Sequence, residues 1–192
     1  MENNLYNSHL FRAIEAYPYQ LEEAVEALNY ALAYEPNNVK ALCLMAKVQY
    51  DQLSNYELAK EYYNLAIASD MYNPDIYPDY IRLLTNNGDY TEAEKLIDFA
   101  LEFKGTKKAN VLLAQASLLE ATKAYEKAET VLEEAKVIAL NNEFINYVDA
   151  EIARVVKKRK TAHNKNRVKE PAEKTEDKPK TSWFQNRLNN LL

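Results

Sequence analysis

The side chains that could carry out chemistry are few and lie far apart along this chain. It contains two histidines, His9 and His163, and one cysteine, Cys43. A metal site or a Cys–His pair on one helix needs such residues one turn apart, and these three share no such spacing. The many carboxylates, such as Glu92, fall mostly on the polar faces of helix-patterned segments. We therefore expect no metal, no cofactor and no catalytic residues, and hence no enzyme. An active site assembled from scattered carboxylates is the open alternative.

Glycine is scarce in a way that excludes several functional classes. Gly88 and Gly105 are the only two glycines among 192 residues. Neither GxGxxG nor a P-loop can be written with two isolated glycines, so phosphate-binding loops of these kinds are absent. An all-β fold would also need more turn glycines. With 47% apolar residues, the composition favours an all-α protein with a sizeable core.

Three sequence features predict a cytoplasmic location. The single cysteine cannot form an internal disulfide, which suits a reducing compartment. The first 20 residues lack a basic region followed by an apolar stretch, so we expect no secretory signal. No stretch approaches 18 continuous apolar residues, so we expect no membrane span.

The elements that would position any functional side chain follow a repeat. Four segments, 21–38, 56–73, 90–107 and 125–142, align at spacings of 35, 34 and 35 residues. Each has small residues in two columns and a large apolar residue between them. The columns are Ala24, Ala59, Ala93 and Ala128; Ala31, Ala66, Ala100 and Ala135; and Leu28, Tyr63, Ile97 and Leu132. The apolar period predicts helices, and further helices are predicted before each segment at 5–17, 39–52, 75–86 and 109–121.

This pattern resembles the tetratricopeptide repeat (TPR) family, whose 34-residue unit is a helix–turn–helix. Repeat three shows the resemblance best, with Tyr77, Tyr80, Gly88, Asp89, Tyr90, Ala93, Ile97 and Ala100 at the expected spacings. Pro36 matches the proline of the family after repeat one, whereas Arg12 and Ile81 stand where the first helix prefers a small residue. Repeats two and four are expected to have one extra residue in the turn between their helices.

The resemblance implies an all-α fold, a right-handed α-solenoid of stacked antiparallel helix pairs. Residues 1–159 would form the repeat domain, with residues 143–157 as a ninth, capping helix. Most of the fifteen tyrosines, including Tyr30, Tyr56 and Tyr125, fall at packing positions of the repeats. We interpret them as structural, and not as a stacking platform for bases or peptides.

In the TPR family the first helices line a concave groove that binds peptides or helices of partner proteins. The resemblance places the following residues in that groove: Tyr6, His9, Ala13, Lys40, Cys43, Lys47, Tyr50, Asp75, Arg82, Asn86, Asn110, Leu113 and Ser117. Some members hold the C-terminal carboxylate of chaperones, but the matching positions here are His9, Ala13, Leu44, Asp75 and Asp79, so we reject that ligand. Lys40, Lys47 and Arg82 form either a modest cationic patch or an ordinary solvated surface.

The charge changes sign near Lys157. Residues 1–156 contain 13 Lys/Arg and 25 Asp/Glu, whereas residues 157–192 contain 11 and 4. We expect residues 160–181 to be a disordered, charged linker. Its basic residues could contact nucleic acid or anionic lipid. No aromatic residues interleave with them and the body is acidic, which argues against nucleic acid as a partner.

The last eleven residues, SWFQNRLNNLL (182–192), contain the only tryptophan, Trp183. Ser182 and Gln185 form a capping-box pattern that predicts a helix starting at Trp183. That helix would place Phe184, Leu188, Leu191 and Leu192 on one stripe. It is too short to be stable alone in water, so it should fold only against a surface. Self-docking in the groove, capture of a partner and a frayed terminus without a role are the alternatives.

The sequence as a whole predicts a non-enzymatic scaffold for protein–protein interaction. It would bind a peptide or helix of a partner in the concave groove and use residues 182–192 as a tethered recognition peptide. The alternative function is a peripheral membrane adaptor, which would combine the basic linker with the amphipathic C-terminus. Neither the identity of the partner nor the process served can be derived from the residues.

Overall fold

The helices of the repeat are formed as the sequence predicts. A computed structural model describes the backbone of residues 5–169 and the side chains of residues 8–164. Within that range every regular element is helical. The helices are α1 (Leu5–Ala16), α2 (Leu21–Tyr34), α3 (Val39–Lys47), a π-helical turn (Val48–Gln52), α4 (Tyr56–Ser69), α5 (Tyr77–Asn87), α6 (Tyr90–Glu102), α7 (Lys108–Ala121), α8 (Tyr125–Val137) and α9 (Asn142–Lys169). Consecutive helices pack as pairs, α1 with α2 through α7 with α8. The chain divides into two units, residues 1–159 and residues 160–192.

Asparagine side chains start several of these helices. The Oδ1 of Asn38 accepts a hydrogen bond from the backbone N–H of Ala41 at 3.0 Å. Asn141 does the same for Phe144 at 2.8 Å, at the start of α9. Such caps satisfy N–H groups that have no partner inside the helix. Helix α5 begins at Tyr77, with a proline in its first turn; the sequence had predicted its start two residues earlier, at Asp75.

The three repeat columns form the core of the first unit. Every alanine of the two small columns is buried, and so are Leu28, Tyr63, Ile97 and Leu132. Alanines seven residues apart let the partner helix come close, and the large residue between them fills the remaining space. Tyr63 also stacks on Tyr80 of the next helix pair, with ring centroids 4.9 Å apart. The residues of the three sequence columns are therefore the ones that pack between the helices.

Repeating turns join the two helices of a pair. Ser54, Gly88 and Lys123 have positive φ values of 53°, 90° and 64°, and they lie at equivalent positions of repeats two, three and four. After Gly88 the N–H of Asp89 donates to the carbonyl of Leu84 at 2.9 Å. After Lys123 the N–H of Ala124 donates to the carbonyl of Leu119 at 2.8 Å. These bonds define the same helix-ending motif, in which the left-handed residue favours glycine.

The extra residues of repeats two and four are accommodated differently. In repeat two the N–H of Asn55 bonds the carbonyl of Gln49, six residues back, across the π-helical turn. A π turn holds one additional residue without breaking the helix. In repeat four the turn around Lys123 matches that around Gly88, so the expected insertion there is wrong. The additional residue lies instead in the connection between α6 and α7, around Gly105.

Helix α9 continues beyond the end that the sequence suggested. The sequence predicts that the capping helix ends at 157 and that the disordered linker begins at 160, but α9 extends to Lys169. The physical reason is that residues 160–169 contain neither glycine nor proline, so nothing in them stops a helix. The rest of the expected linker, 170–181, and the C-terminal peptide lie outside the described residues.

Candidate functional site

Two cavities share Arg82 on the surface where the first helices of repeats two to four lie. The first cavity lies between α5, α7 and α9 and has a volume of about 520 Å³. The second cavity encloses about 530 Å³ between the π-helical turn, the start of α4 and the end of α5. We call these two cavities the groove site. Their lining residues are Asp75, Pro78, Asp79, Arg82, Lys107, Asn110, Leu113, Ala114, Ser117 and Tyr147 for the first, and Tyr50, Asp51, Ser54, Tyr56, Arg82, Asn86 and Asn87 for the second.

A chain of opposite charges crosses the groove site. Arg82 Nη2 lies 3.4 Å from Asp51 Oδ2 and 3.7 Å from Asp79 Oδ1. Lys47 Nζ approaches the other oxygen of Asp79 at 3.2 Å, and the hydroxyl of Tyr17 donates to Asp51 at 3.3 Å. These contacts link the turn after α1, helix α3, the π-helical turn and helix α5. They hold Arg82 at the junction of the two cavities.

The same charges perturb the ionisation of their neighbours. Burial by itself would lower the pKa of Arg82, but the negative charges of Asp51 and Asp79 outweigh it, and the pKa is raised. Burial raises the pKa of Tyr17, and the charge of Asp51 raises it further. At neutral pH, Arg82 is therefore fully charged and Tyr17 is a neutral hydrogen-bond donor.

Two of the three basic residues that the sequence suggested as a cationic patch, Lys47 and Arg82, are engaged in ion pairs. Lys47 and Arg82 share Asp79, and Lys107 of the next repeat forms an ion pair with Asp75. The groove site therefore presents compensated charges beside amides and hydroxyls, and not an excess of positive charge.

Cys43 is unsuited to act as a nucleophile. Burial, followed by the nearby charges of Asp79 and Asp75, raises the pKa of its thiol to about 12, against a smaller opposing effect of Lys47. The thiolate is the reactive form of cysteine, and at neutral pH almost none is present. The side chain packs against the largest core cluster, between repeats two and three.

Comparison with known proteins identifies the fold. No known protein-family profile matches the chain, and no curated protein matches it. Among solved structures, PilF from Pseudomonas aeruginosa is similar over 83% of this chain and 71% of its own, with a TM-score of 0.70 and 20% sequence identity. A tetratricopeptide repeat protein from Parabacteroides merdae is similar over 85% of this chain, with a TM-score of 0.65 and 20% identity. The chain has a TPR-like fold. It spans 62% of the length of the Parabacteroides protein.

The TPR-like fold brings together seven of the residues that the resemblance placed in the groove. The groove site is lined by Tyr50, Asp75, Arg82, Asn86, Asn110, Leu113 and Ser117. The structure shows that these residues lie close together, and their role in binding stays a prediction. The shared lining does show that first helices of successive repeats form one continuous surface.

The other predicted groove residues lie elsewhere. His9 stacks on two tyrosines of α2, with ring centroids 5.2 Å from Tyr30 and 6.1 Å from Tyr34. Lys40 is exposed outside both cavities. Lys47 pairs with Asp79, and Cys43 packs against the core. The side chain of Tyr6, and the predicted peptide residues Trp183, Phe184, Leu188, Leu191 and Leu192, are outside the described part of the chain.

The sequence analysis did not predict several of the residues that line the groove site. Asp51 lies in the π-helical turn. The extra residue expected in repeat two indicated an irregular turn there, but not that Asp51 would line a cavity. Tyr147 could have been found, because it follows Leu113 by 34 residues and so continues the repeat register into α9. Treating α9 as the first helix of a further repeat, and not only as a cap, would have placed Tyr147 in the groove.

No group of three or more His, Cys, Asp or Glu side chains in the described part of the chain is placed to hold a metal ion. No helix within the described residues is long and apolar enough to cross a membrane.

Proposed function

We propose that the chain is a non-enzymatic protein-interaction scaffold that binds a segment of a partner protein in the groove site. The observation that carries the proposal is the pair of cavities that meet at Arg82, on the surface that first helices use for binding in TPR proteins. Asn86 and Asn110 line these cavities, and a primary amide can both donate to and accept from a peptide backbone. Leu113, Ala114 and Tyr147 supply apolar walls for side chains.

The charge pattern suggests what kind of segment would fit. Because Asp51 and Asp79 already neutralise Arg82 and Lys47, a strongly charged ligand would have to disrupt those pairs. An extended or helical segment with mixed polar and apolar side chains would leave them intact. The residues of a carboxylate clamp are likewise missing from the matching positions of the sequence. We propose that the scaffold acts in the cytoplasm.

Differential capture tests the proposal. The full chain and a Ser117→Trp variant, which fills the first cavity, are used as baits in an extract of the natural host. An Asp98→Trp variant is the matched control, because Asp98 lies on the exposed side of α6, outside the groove site. We expect a partner that wild type and control retain and the Ser117 variant loses. Identical capture by all three baits would contradict the proposal.

We further propose that residues 182–192 act as a tethered recognition peptide. The proposal rests on their sequence, which combines a capping box with an apolar stripe. Trp183, the only tryptophan, reports on it without labelling. A blue-shifted emission spectrum in the monomeric chain would indicate self-docking, whereas a water-like spectrum would indicate that the peptide is available to a partner.

The membrane-adaptor alternative is weakened by the structure of α9. Lys158 Nζ pairs with Glu120 at 2.7 Å, and Arg159 Nη1 pairs with Glu129 at 3.1 Å. Basic residues engaged in this way secure the cap on repeat four and are less available to lipid head groups. Co-sedimentation with anionic vesicles decides the point. Pelleting that disappears on Trp183→Ala and Phe184→Ala substitution would favour the membrane adaptor over the scaffold.

A further inference from the structure

An aromatic plug closes the gap between the two helices of repeat three. Tyr77 of α5 packs against Phe99 of α6 and against Phe103, which directly follows α6, with ring centroids 5.7 Å and 5.5 Å apart. The two phenylalanine rings lie 5.7 Å from each other. Tyr77 is fully buried by this arrangement. Three rings therefore fill the space where these helices diverge.

Repeat four lacks this plug and has a cavity in its place. The residues 35 positions later are Leu112, Glu134 and Ile138, which are aliphatic or charged instead of aromatic. All three line a cavity of about 770 Å³ between α7, α8 and Arg159 of α9. We call it the outer cavity. Its walls include none of the residues of the groove site.

The outer cavity has an apolar floor and an acidic rim. Leu112 forms the floor and is only 4% exposed, whereas Val137 at the edge is 84% exposed. The rim contains four glutamates, Glu126, Glu129, Glu133 and Glu134, and two basic residues, Lys108 and Arg159. Arg159 is paired with Glu129 at 3.1 Å, so the remaining glutamates outnumber Lys108 by three to one.

We propose that the outer cavity is a docking site for a partner-protein segment that has an aromatic anchor flanked by lysine or arginine. The anchor would occupy the space that aromatic rings fill in repeat three. The flanking cations would face Glu126, Glu133 and Glu134, which no basic residue of the described chain neutralises through an ion pair. An aromatic side chain in a desolvated pocket with surrounding charge complementarity is the usual composition of a binding hot spot.

The probe for this site is a fluorescein-labelled twelve-residue peptide with a central tryptophan and four lysines, titrated with full-length chain and followed by fluorescence anisotropy. A matched probe with glutamate at the four lysine positions is the charge control. We expect the cationic probe to bind at least tenfold more tightly than the acidic probe. Raising the salt from 0.05 M to 0.3 M should weaken binding several-fold, because rim charges in water are screened.

Three variants place the binding in the outer cavity. Glu134→Phe with Ile138→Phe rebuilds the plug of repeat three and should weaken the cationic probe at least tenfold. Glu133→Gln removes one exposed rim charge without touching the floor and should weaken it about threefold. Asp98→Asn, the same change one repeat earlier, should leave the affinity unchanged. Circular dichroism confirms that each variant is folded, and the surface change Glu133→Gln keeps the test valid if the double variant is not.

Several outcomes would overturn the proposal. Equal binding of the cationic and acidic probes would do so, as would unchanged affinity in both cavity variants. If wild type self-associates in analytical ultracentrifugation and the plug variant does not, the occupant is a second copy of the chain. If the probe binds only after Trp183→Ala and Phe184→Ala substitution, the occupant is the C-terminal peptide of the chain itself. Because Ser117→Trp fills the groove and not this cavity, it should leave probe binding unchanged, so the two sites fail or succeed separately.

Discussion

Replacing Lys123 by glycine should stabilise the protein, although the same replacement in most places would weaken it. Lys123 holds the left-handed conformation, with φ of 64°, at the end of α7. For a residue with a side chain this conformation costs about 1–2 kcal/mol, because Cβ comes too close to the following carbonyl. Glycine avoids that cost but gives the unfolded chain more freedom, worth roughly 0.4–1 kcal/mol. The net gain in the free energy of unfolding should be about 0.5–1 kcal/mol.

The equivalent position of repeat three provides the reverse experiment. Gly88 has φ of 90°, and a Cβ built on it would meet no atom within 4 Å. Gly88→Ala therefore introduces no clash, and only the backbone term changes. We expect a loss of about 1 kcal/mol, which for a domain of this size lowers the melting temperature by roughly 2–4 °C. Repeats three and four should thus respond with opposite signs to opposite substitutions.

A Lys→Gly change four residues away controls for the loss of the lysine itself. Lys127 is exposed on α8, and Lys127→Gly should cost about 1 kcal/mol because glycine is a poor helix former. Urea unfolding followed by circular dichroism measures all three variants through the midpoint and slope. If Lys123→Gly destabilises the protein as much as Lys127→Gly does, the turn does not have the geometry described here.

Three other properties follow from the burial and ionisation of particular residues. Met45→Ala should cost about 2–5 kcal/mol in unfolding experiments, since Met45 is 1% exposed, whereas the same change at Phe11, its counterpart in repeat one and 65% exposed, should cost less than about 1 kcal/mol. Equal losses would contradict the register. Chiefly through its hydrogen bond, the Tyr56 hydroxyl lowers the pKa of the Asp89 carboxyl below its ordinary value, so Tyr56→Phe should raise that pKa in a carbon-13 NMR titration. A carboxyl group whose pKa is lower in the folded than in the unfolded state stabilises the fold above the unfolded pKa, and this stabilisation disappears as the pH falls. The Tyr56→Phe variant should therefore lose less stability on acidification than the wild type. Cys43, with a thiol pKa of about 12, should react with iodoacetamide far more slowly at pH 8 than glutathione, and a comparable rate would show that the thiol is accessible and unperturbed.

The periodic part of the fold could be predicted because packing enforces it at every repeat. Ala24 and its equivalents are buried in four places for the same reason, so the columns were visible in the sequence alone. The end of α9 was harder to predict. A run of Lys, Asn and Arg has the composition of a disordered linker, yet in residues 160–169 it continues a helix that packing has already nucleated.

The details of the two candidate sites depend on contacts between residues distant in the chain. The resemblance to TPR proteins placed Arg82 in the groove, but not Asp51, 31 residues away, which pairs with Arg82. The outer cavity lies where three aromatic positions of repeat three are occupied by non-aromatic residues in repeat four. Each change, such as Phe99 to Glu134, looks like ordinary surface variation until the structure shows that all three line one space.

Site-specific photo-crosslinking in the natural host is the most direct test of the central proposal, that the groove site binds another protein. A benzoylphenylalanine at Ser117 lines the first cavity, and one at Asp98 faces away from it on α6. We predict a discrete protein adduct from position 117 and none from position 98. Absence of an adduct at 117, or the same adducts at both positions, would contradict a partner-binding role for this groove.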